Sequence, residues 1–196
     1  MTRIGRHGLQ GTCGALAIAV ALAIAPAAEA GPTANAYALY ARGDFQAAAA
    51  RLTPLAFAGD ARAQGLLGFM YEKGRGVPQN FVAAAAWYSC AADQGEATAQ
   101  YLLGLLYDKG HGVQKDVVLS QKWLILAAAR ASRQERDVYT RLRDAVATKM
   151  SPAQRAVAQQ LALEWSPAPP RAISMEPVPT PLPFLPRLLN PTPSAD

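Results

Sequence analysis

The stretch Ala63-Gln64-Gly65-Leu66-Leu67-Gly68-Phe69-Met70-Tyr71-Glu72-Lys73-Gly74-Arg75-Gly76-Val77 returns 36 residues later as Ala99-Gln100-Tyr101-Leu102-Leu103-Gly104-Leu105-Leu106-Tyr107-Asp108-Lys109-Gly110-His111-Gly112-Val113. Laid over each other without gaps, Gly59–Gln94 and Gly95–Arg130 agree at sixteen of 36 positions; Trp87 falls on Trp123 and Ala91-Ala92 on Ala127-Ala128. A period of this length marks stacked helix pairs, each of which buries its apolar face against its neighbours.

Each residue class in the unit has a physical task. Ala63, Leu66, Leu67, Met70 and Tyr71 recur at helical spacing and form one apolar face. Gly68 lies inside that helix, where glycine costs about 1 kcal/mol against alanine. Its return at Gly104 points to close approach of a partner helix. Gly74 and Gly76 end the first helix and turn the chain. Val77 plugs the loop onto the core, and Asn80 and Asp116 offer side-chain oxygens to cap the second helix. Trp87 and Trp123 are the large fillers, the alanine pairs keep the next unit close, and Gly59 and Gly95 end the second helices. Upstream, Phe45 maps on Phe81 and Ala47–Ala50 on Ala83–Ala86 at +36, whereas Tyr40 maps on Tyr71 at +31. The first unit is therefore truncated by five residues in its loop, Arg42-Gly43-Asp44.

The pattern Ala-Gln-x-Leu-Leu-Gly-x-x-Tyr-x-Lys-Gly-x-Gly-Val, followed by Trp and Ala-Ala, resembles the Sel-1-like repeat, a tetratricopeptide-related family. The resemblance implies an all-α fold: a right-handed α/α solenoid of helix-turn-helix repeats. Its units are 31–58 (truncated), 59–94 and 95–131, with capping helices over 132–165. It also implies adaptor or scaffold roles. Two departures bear on the size of any concave surface: only two units are complete, and the first lacks the Gly-x-Gly loop.

Both flanks have their own character. Residues 1–30 carry Arg3 and Arg6, an apolar run from Cys13 to Ala25, then Pro26 and Ala28-Glu29-Ala30. This is a signal-peptide layout with cleavage between Ala30 and Gly31, Ala28 and Ala30 being the small residues at −3 and −1. It implies a periplasmic or secreted protein of bacterial source, with no integral membrane span after cleavage; the alternative is an uncleaved anchor. In 132–165, Val138, Leu142 and Val146 recur every four residues, widened by Tyr139 and Ala145. Ser151-Pro152-x-Gln154 signals a helix start, and Val157, Leu161 and Trp165 mark the following face. Ten of the fifteen prolines fall in 166–196, which predicts polyproline II or disorder. The tail reads either as a partner ligand, through Pro167-x-x-Pro170 and Pro183-Phe184-Leu185-Pro186-Arg187, or as a passive or folded-back terminus.

Composition narrows the chemistry. With 19 Lys+Arg against 14 Asp+Glu the net charge is +5, but no basic stripe with interleaved aromatics is present, so no nucleic-acid partner is expected. Two Cys and two His leave neither a disulfide framework nor a zinc module. His111 stands where the preceding unit has Arg75, which marks an exposed loop site, and Cys90 stands opposite Leu126, which marks a small core residue. Glu72 and Asp108 are equivalent and read as solvated helix ends. No nucleophile–base set can be assembled, so the expectation is a non-enzymatic protein without cofactor or metal. Its expected partner is a protein or peptide held on the concave side, which the first helix of each unit lines in solenoids of this kind. There Arg62, Phe69 and Glu72 face away from the Leu67/Tyr71 stripe, as do Thr98, Tyr101, Leu105 and Asp108. Phe69, Tyr101 and Leu105 are the candidate anchors. The alternative is a structural component of a cell-envelope complex, tethered through its tail.

Overall fold

The computed structural model describes residues 31–170. The remaining residues, and with them Ala28, Ala30 and most of the proline-rich tail, lie outside it. Eight α-helices make up the described residues: α1 (Pro32–Ala41), α2 (Phe45–Phe57), α3 (Ala61–Lys73), α4 (Phe81–Asp93), α5 (Ala97–Lys109), α6 (Val117–Arg130), α7 (Arg136–Ala147) and α8 (Pro152–Leu163). Consecutive helices pack on one another from α1 to α7, which is the contact pattern of a solenoid. Gly31 is the N-cap residue of α1.

Caps set the boundaries of the full units. Asp60 accepts from the Ala63 N–H, Asn80 from that of Ala83, Glu96 from that of Ala99, and Asp116 from those of Val118 and Leu119. At the other end Gly74 and Gly110 take left-handed conformations, with φ of 65° and 73°. Leu67, Met70, Leu103 and Leu106 are buried as the helical spacing requires. A fully buried leucine contributes about 1.5–3 kcal/mol. Val77 and Val113 pack their loops onto the two main cores.

Close approach explains the repeated glycines. A Cβ on Gly68 would lie 2.8 Å from Tyr88 Cδ1, and one on Gly104 would lie 2.9 Å from Leu124 Cγ. Gly76 and Gly112 do the same between units. Their φ angles are 74° and 71°, and a Cβ would lie 2.3 Å from the Phe45 carbonyl oxygen or 2.1 Å from that of Phe81. Each Gly-x-Gly loop thus rests on the N-terminal end of the preceding unit's second helix.

The C-terminal cap departs from the sequence expectation in detail. Helices α7 and α8 each pack mainly on α6, so they close the third unit without forming a fourth. On α7 the buried positions are Tyr139 and Val146, while Val138 is 51% exposed. On α8 they are Ala158 and Ala162, while Val157 is 52% exposed. On α7 the expected Val146 and Leu142 do pack inward, and Val138 and Ala145 turn outward; on α8 the packed stripe is one residue further along than Val157 and Leu161 suggested, because alanines let the helix come close. The Ser151/Gln154 capping box forms as the motif predicts.

Candidate interaction surface

The six candidate residues lie on α3 and α5, and the structure treats them differently. Arg62 is exposed; its carbonyl oxygen accepts from the Tyr37 hydroxyl at 3.3 Å. Phe69 is half-buried, with the Tyr40 ring at its edge (6.2 Å) and Lys73 Nζ 5.4 Å from its centroid. Leu105 is half-buried. Tyr101 is half-buried under Tyr139 of α7, the two rings stacked at 4.3 Å and 14°.

The two acidic candidates are held within the fold. Glu72 is buried; it accepts from the Tyr88 hydroxyl at 2.9 Å and from Lys73 Nζ at 2.5 Å. Burial and the adjacent carboxylate push the Tyr88 phenol far above its ordinary value, so it stays a donor. Asp108 binds Lys149 Nζ through both oxygens at 2.9 Å. The solvated helix end expected at Glu72 is thus corrected: the carboxylate is desolvated and answered by a buried hydroxyl. Asp108 has no tyrosine to answer it, because Leu124 stands where the preceding unit has Tyr88, and the cap supplies Lys149.

The cap completes the third unit at several points, none of which the sequence reading assigned. Tyr139 covers Tyr101, and its phenol donates to Glu135 at 3.0 Å. Burial pushes that phenol up to about 12. The Ser132 hydroxyl holds the Glu135 carboxyl below its usual range. Trp165, just beyond α8, lies edge-on to Trp123 at 6.5 Å and 74°, with the Arg130 guanidinium 4.4 Å from its centroid. Lys122 Nζ sits 4.2 Å over the Trp123 ring. The chain then crosses the α4–α5 turn, where the Ala168 N–H donates to the Asp93 carbonyl at 2.7 Å.

Chemistry-bearing residues are dispersed. Among the described residues no three His, Cys, Asp or Glu side chains gather as a metal group. His111 is exposed, its ring 5.0 Å from that of Phe81. Cys90 is half-buried rather than fully inside, and burial pushes its thiol up, away from the reactive thiolate. Among the described helices none is long and apolar enough to cross a membrane.

Residues 61–96 and 97–132 each match the Sel1 repeat, a match that keeps the 36-residue period. The chain carries two Sel1 repeats. Two solved structures are similar to this Sel1-repeat chain. One is a protective antigen present in uropathogenic Escherichia coli strains and displaying an SLR fold, with a TM-score of 0.62 and 29% identity. The alignment covers 68% of this chain and 29% of the antigen. The other is a Sel1 repeat protein from Oxalobacter formigenes, with a TM-score of 0.53 and 29% identity, over 67% of this chain and 55% of that one. The chain thus spans well under two thirds of either structure's length. Among curated proteins none matches. The all-helical fold and the Sel1 solenoid architecture stand on this agreement, and Sel1 repeats are a protein-interaction module.

Proposed function

We propose that this chain is a non-enzymatic interaction adaptor, exported to the periplasm or beyond it, that holds a partner protein or peptide along the first helices of its units. The observation that carries this reading is what α1, α3 and α5 leave uncovered. Tyr37 is 42% exposed, Arg62 is exposed, and Phe69 and Leu105 are half-buried on a rigid stacked scaffold. Large amphipathic and apolar groups on fixed helices bind at low entropic cost. Glu72 and Asp108 drop out as direct contacts, since Tyr88 and Lys149 already hold them. Tyr101 contributes through its stack with Tyr139. Export rests on the leader-like pattern of residues 1–30.

Photo-crosslinking side chains placed at Arg62 and Leu105 test the reading, with Val82 and Val157 as controls. Crosslinks to a partner from the first pair and not the second are expected. Crosslinks arising instead from the controls, or lost with residues 171–196, would replace this surface with another. Fractionating cells for the mature N-terminus at Gly31 tests export separately.

A further inference from the structure

We propose that Trp165–Ala168 is a releasable occupant of a peptide seat on the third unit, and that the seat takes an extended aromatic-x-Pro segment of a partner protein in its place. The seat lies between α6 and the α4–α5 turn, away from Arg62 and Leu105, so it stands or falls independently of the surface above.

The comparison of one unit with the next carries the inference. In the second unit Trp87 has an edge-on aromatic neighbour, Phe57, at 5.2 Å and 85°. The residue 36 positions after Phe57 is Asp93, which brings no ring to Trp123. Trp165 supplies that ring from the C-terminal segment, at 6.5 Å and 74°. The aromatic place beside the repeated tryptophan is thus filled once by the preceding unit of the array, and once by a segment arriving from outside the repeat.

The buried amides show that the arrival displaces a partner. Gln64 and Gln100 are equivalent; each donates to a carbonyl of the preceding helix, Ala56 at 2.9 Å and Ala92 at 3.0 Å. The Gln64 Oε1 accepts from Gln94 Nε2 at 2.8 Å. The residue equivalent to Gln94 is Arg130, but its guanidinium lies on the Trp165 ring. Gln100, 0% exposed, keeps an Oε1 with no hydrogen-bond partner among the described residues. Arg130 therefore has two alternative roles. With Trp165 seated it makes a cation–π contact. With the seat vacated it has the repeat's own partner, the Gln100 oxygen, so a charge-assisted hydrogen bond to a buried acceptor offsets the release. An element with two such arrangements is what a ligand can shift.

The seated segment defines the chemistry that fits. Trp165 takes the aromatic place. A Cβ on Gly95 would lie 3.5 Å from Trp165 Cη2 and 3.9 Å from Pro167 Cβ, ordinary contact distances, so the α4–α5 turn lies directly against both residues. Pro167 holds the chain extended, and Ala168 presents the backbone N–H to the Asp93 carbonyl. The expected ligand is therefore aromatic-x-Pro followed by a residue that is not proline.

The test uses the full chain with Trp165→Ala and a fluorescent peptide of residues 164–169, read by anisotropy. The peptide is expected to bind W165A saturably and at least tenfold more tightly than the wild type, whose seat is filled. Adding Arg130→Gln, which mirrors Gln94, should weaken peptide binding at least tenfold with the helical circular dichroism unchanged. A W165A chain that stays helical and takes no peptide overturns the proposal. So does one that loses its helical signal, since the segment would then be a fixed part of the fold. Hydrogen exchange on the unmodified protein decides independently. The Ala168 amide should exchange at least a hundredfold faster than those of α6, and exchange at the α6 rate means the segment does not release.

Discussion

Tyr88 and Glu72 form the most exacting contact in the second unit. The phenol is fully buried and its hydroxyl answers a carboxylate that is itself buried. Tyr88→Phe keeps the packing and removes the donor, so it should cost about 1–3 kcal/mol in urea unfolding; a loss below ~0.5 kcal/mol would mean Lys73 suffices. Gly68→Ala presses on the same ring and should destabilise by about 1–3 kcal/mol, as should Gly104→Ala against Leu124, each read as a lowered urea midpoint. Glu135 gives a pH signature. Its folded carboxyl is held below the ordinary 4.5, chiefly by the Ser132 hydroxyl, so the ionised form adds stability above that value and loses it as pH falls through the depressed one. Glu135→Gln should therefore melt lower than the wild type at neutral pH, and the difference should close on acidification. The crowded glycines were legible because each occurs twice at one register. The Glu72–Tyr88 pair was not, because Leu124 breaks the repetition and a carboxylate at a helix end ordinarily meets water.

At the level of elements the helices follow from the sequence almost throughout, and the exception is instructive. On α8 the large residues Val157 and Leu163 stand outward, while Ala158 and Ala162 are buried. Hydrophobicity ranks Val above Ala, but a helix laid closely on α6 accepts only the smaller side chain. Ala158→Leu should thus cost about 1–3 kcal/mol, and Val157→Lys should leave the urea midpoint within ~0.5 kcal/mol of the wild type. A reversal of that order in chemical denaturation would put α8 in the other rotation. The proposed partner surface shows the same division. Arg62, Phe69 and Leu105 could be placed on α3 and α5 from periodicity alone. That Tyr101 lies under Tyr139, and Asp108 beside Lys149, depends on where α7 and its following turn land, and no repeat encodes that. Trp165 was already placed on the face of the last helix; Asp93 in place of Phe57 and Arg130 in place of Gln94 were the signals that could have paired it with Trp123 and Arg130.

Across the whole molecule, contacts run from each unit to the next, so stability is close to a sum of unit and interface contributions. A second copy of residues 59–94 inserted after Gln94 should fold in register, because one new junction repeats that of Gln94 with Gly95 and the other sets the unit against its own copy at the same 36-residue period. The expected result is more helical signal and a urea midpoint no lower than that of the parent. A lower midpoint would show that the two native units are not equivalent as neighbours.

The Gly-x-Gly loops give this architecture a direction. Each one fits over the N-terminal end of the second helix of the unit behind it, at Phe45 for the second unit and at Phe81 for the third. A unit is in this sense a coupling with a plug on one side and a socket on the other. The first unit has the socket, since Gly76 sits in it, but its short Arg42-Gly43-Asp44 loop is no plug. At the far end Val146 and Met150 lie against Val117 and Val118, so the last socket is stoppered by the cap. The two end units of the described solenoid thus differ from the interior ones: the first offers a socket and no plug, and the last has its socket filled. Lengthening the array, by evolution or by design, is an operation for its interior: new couplings enter between these two ends and leave both unchanged.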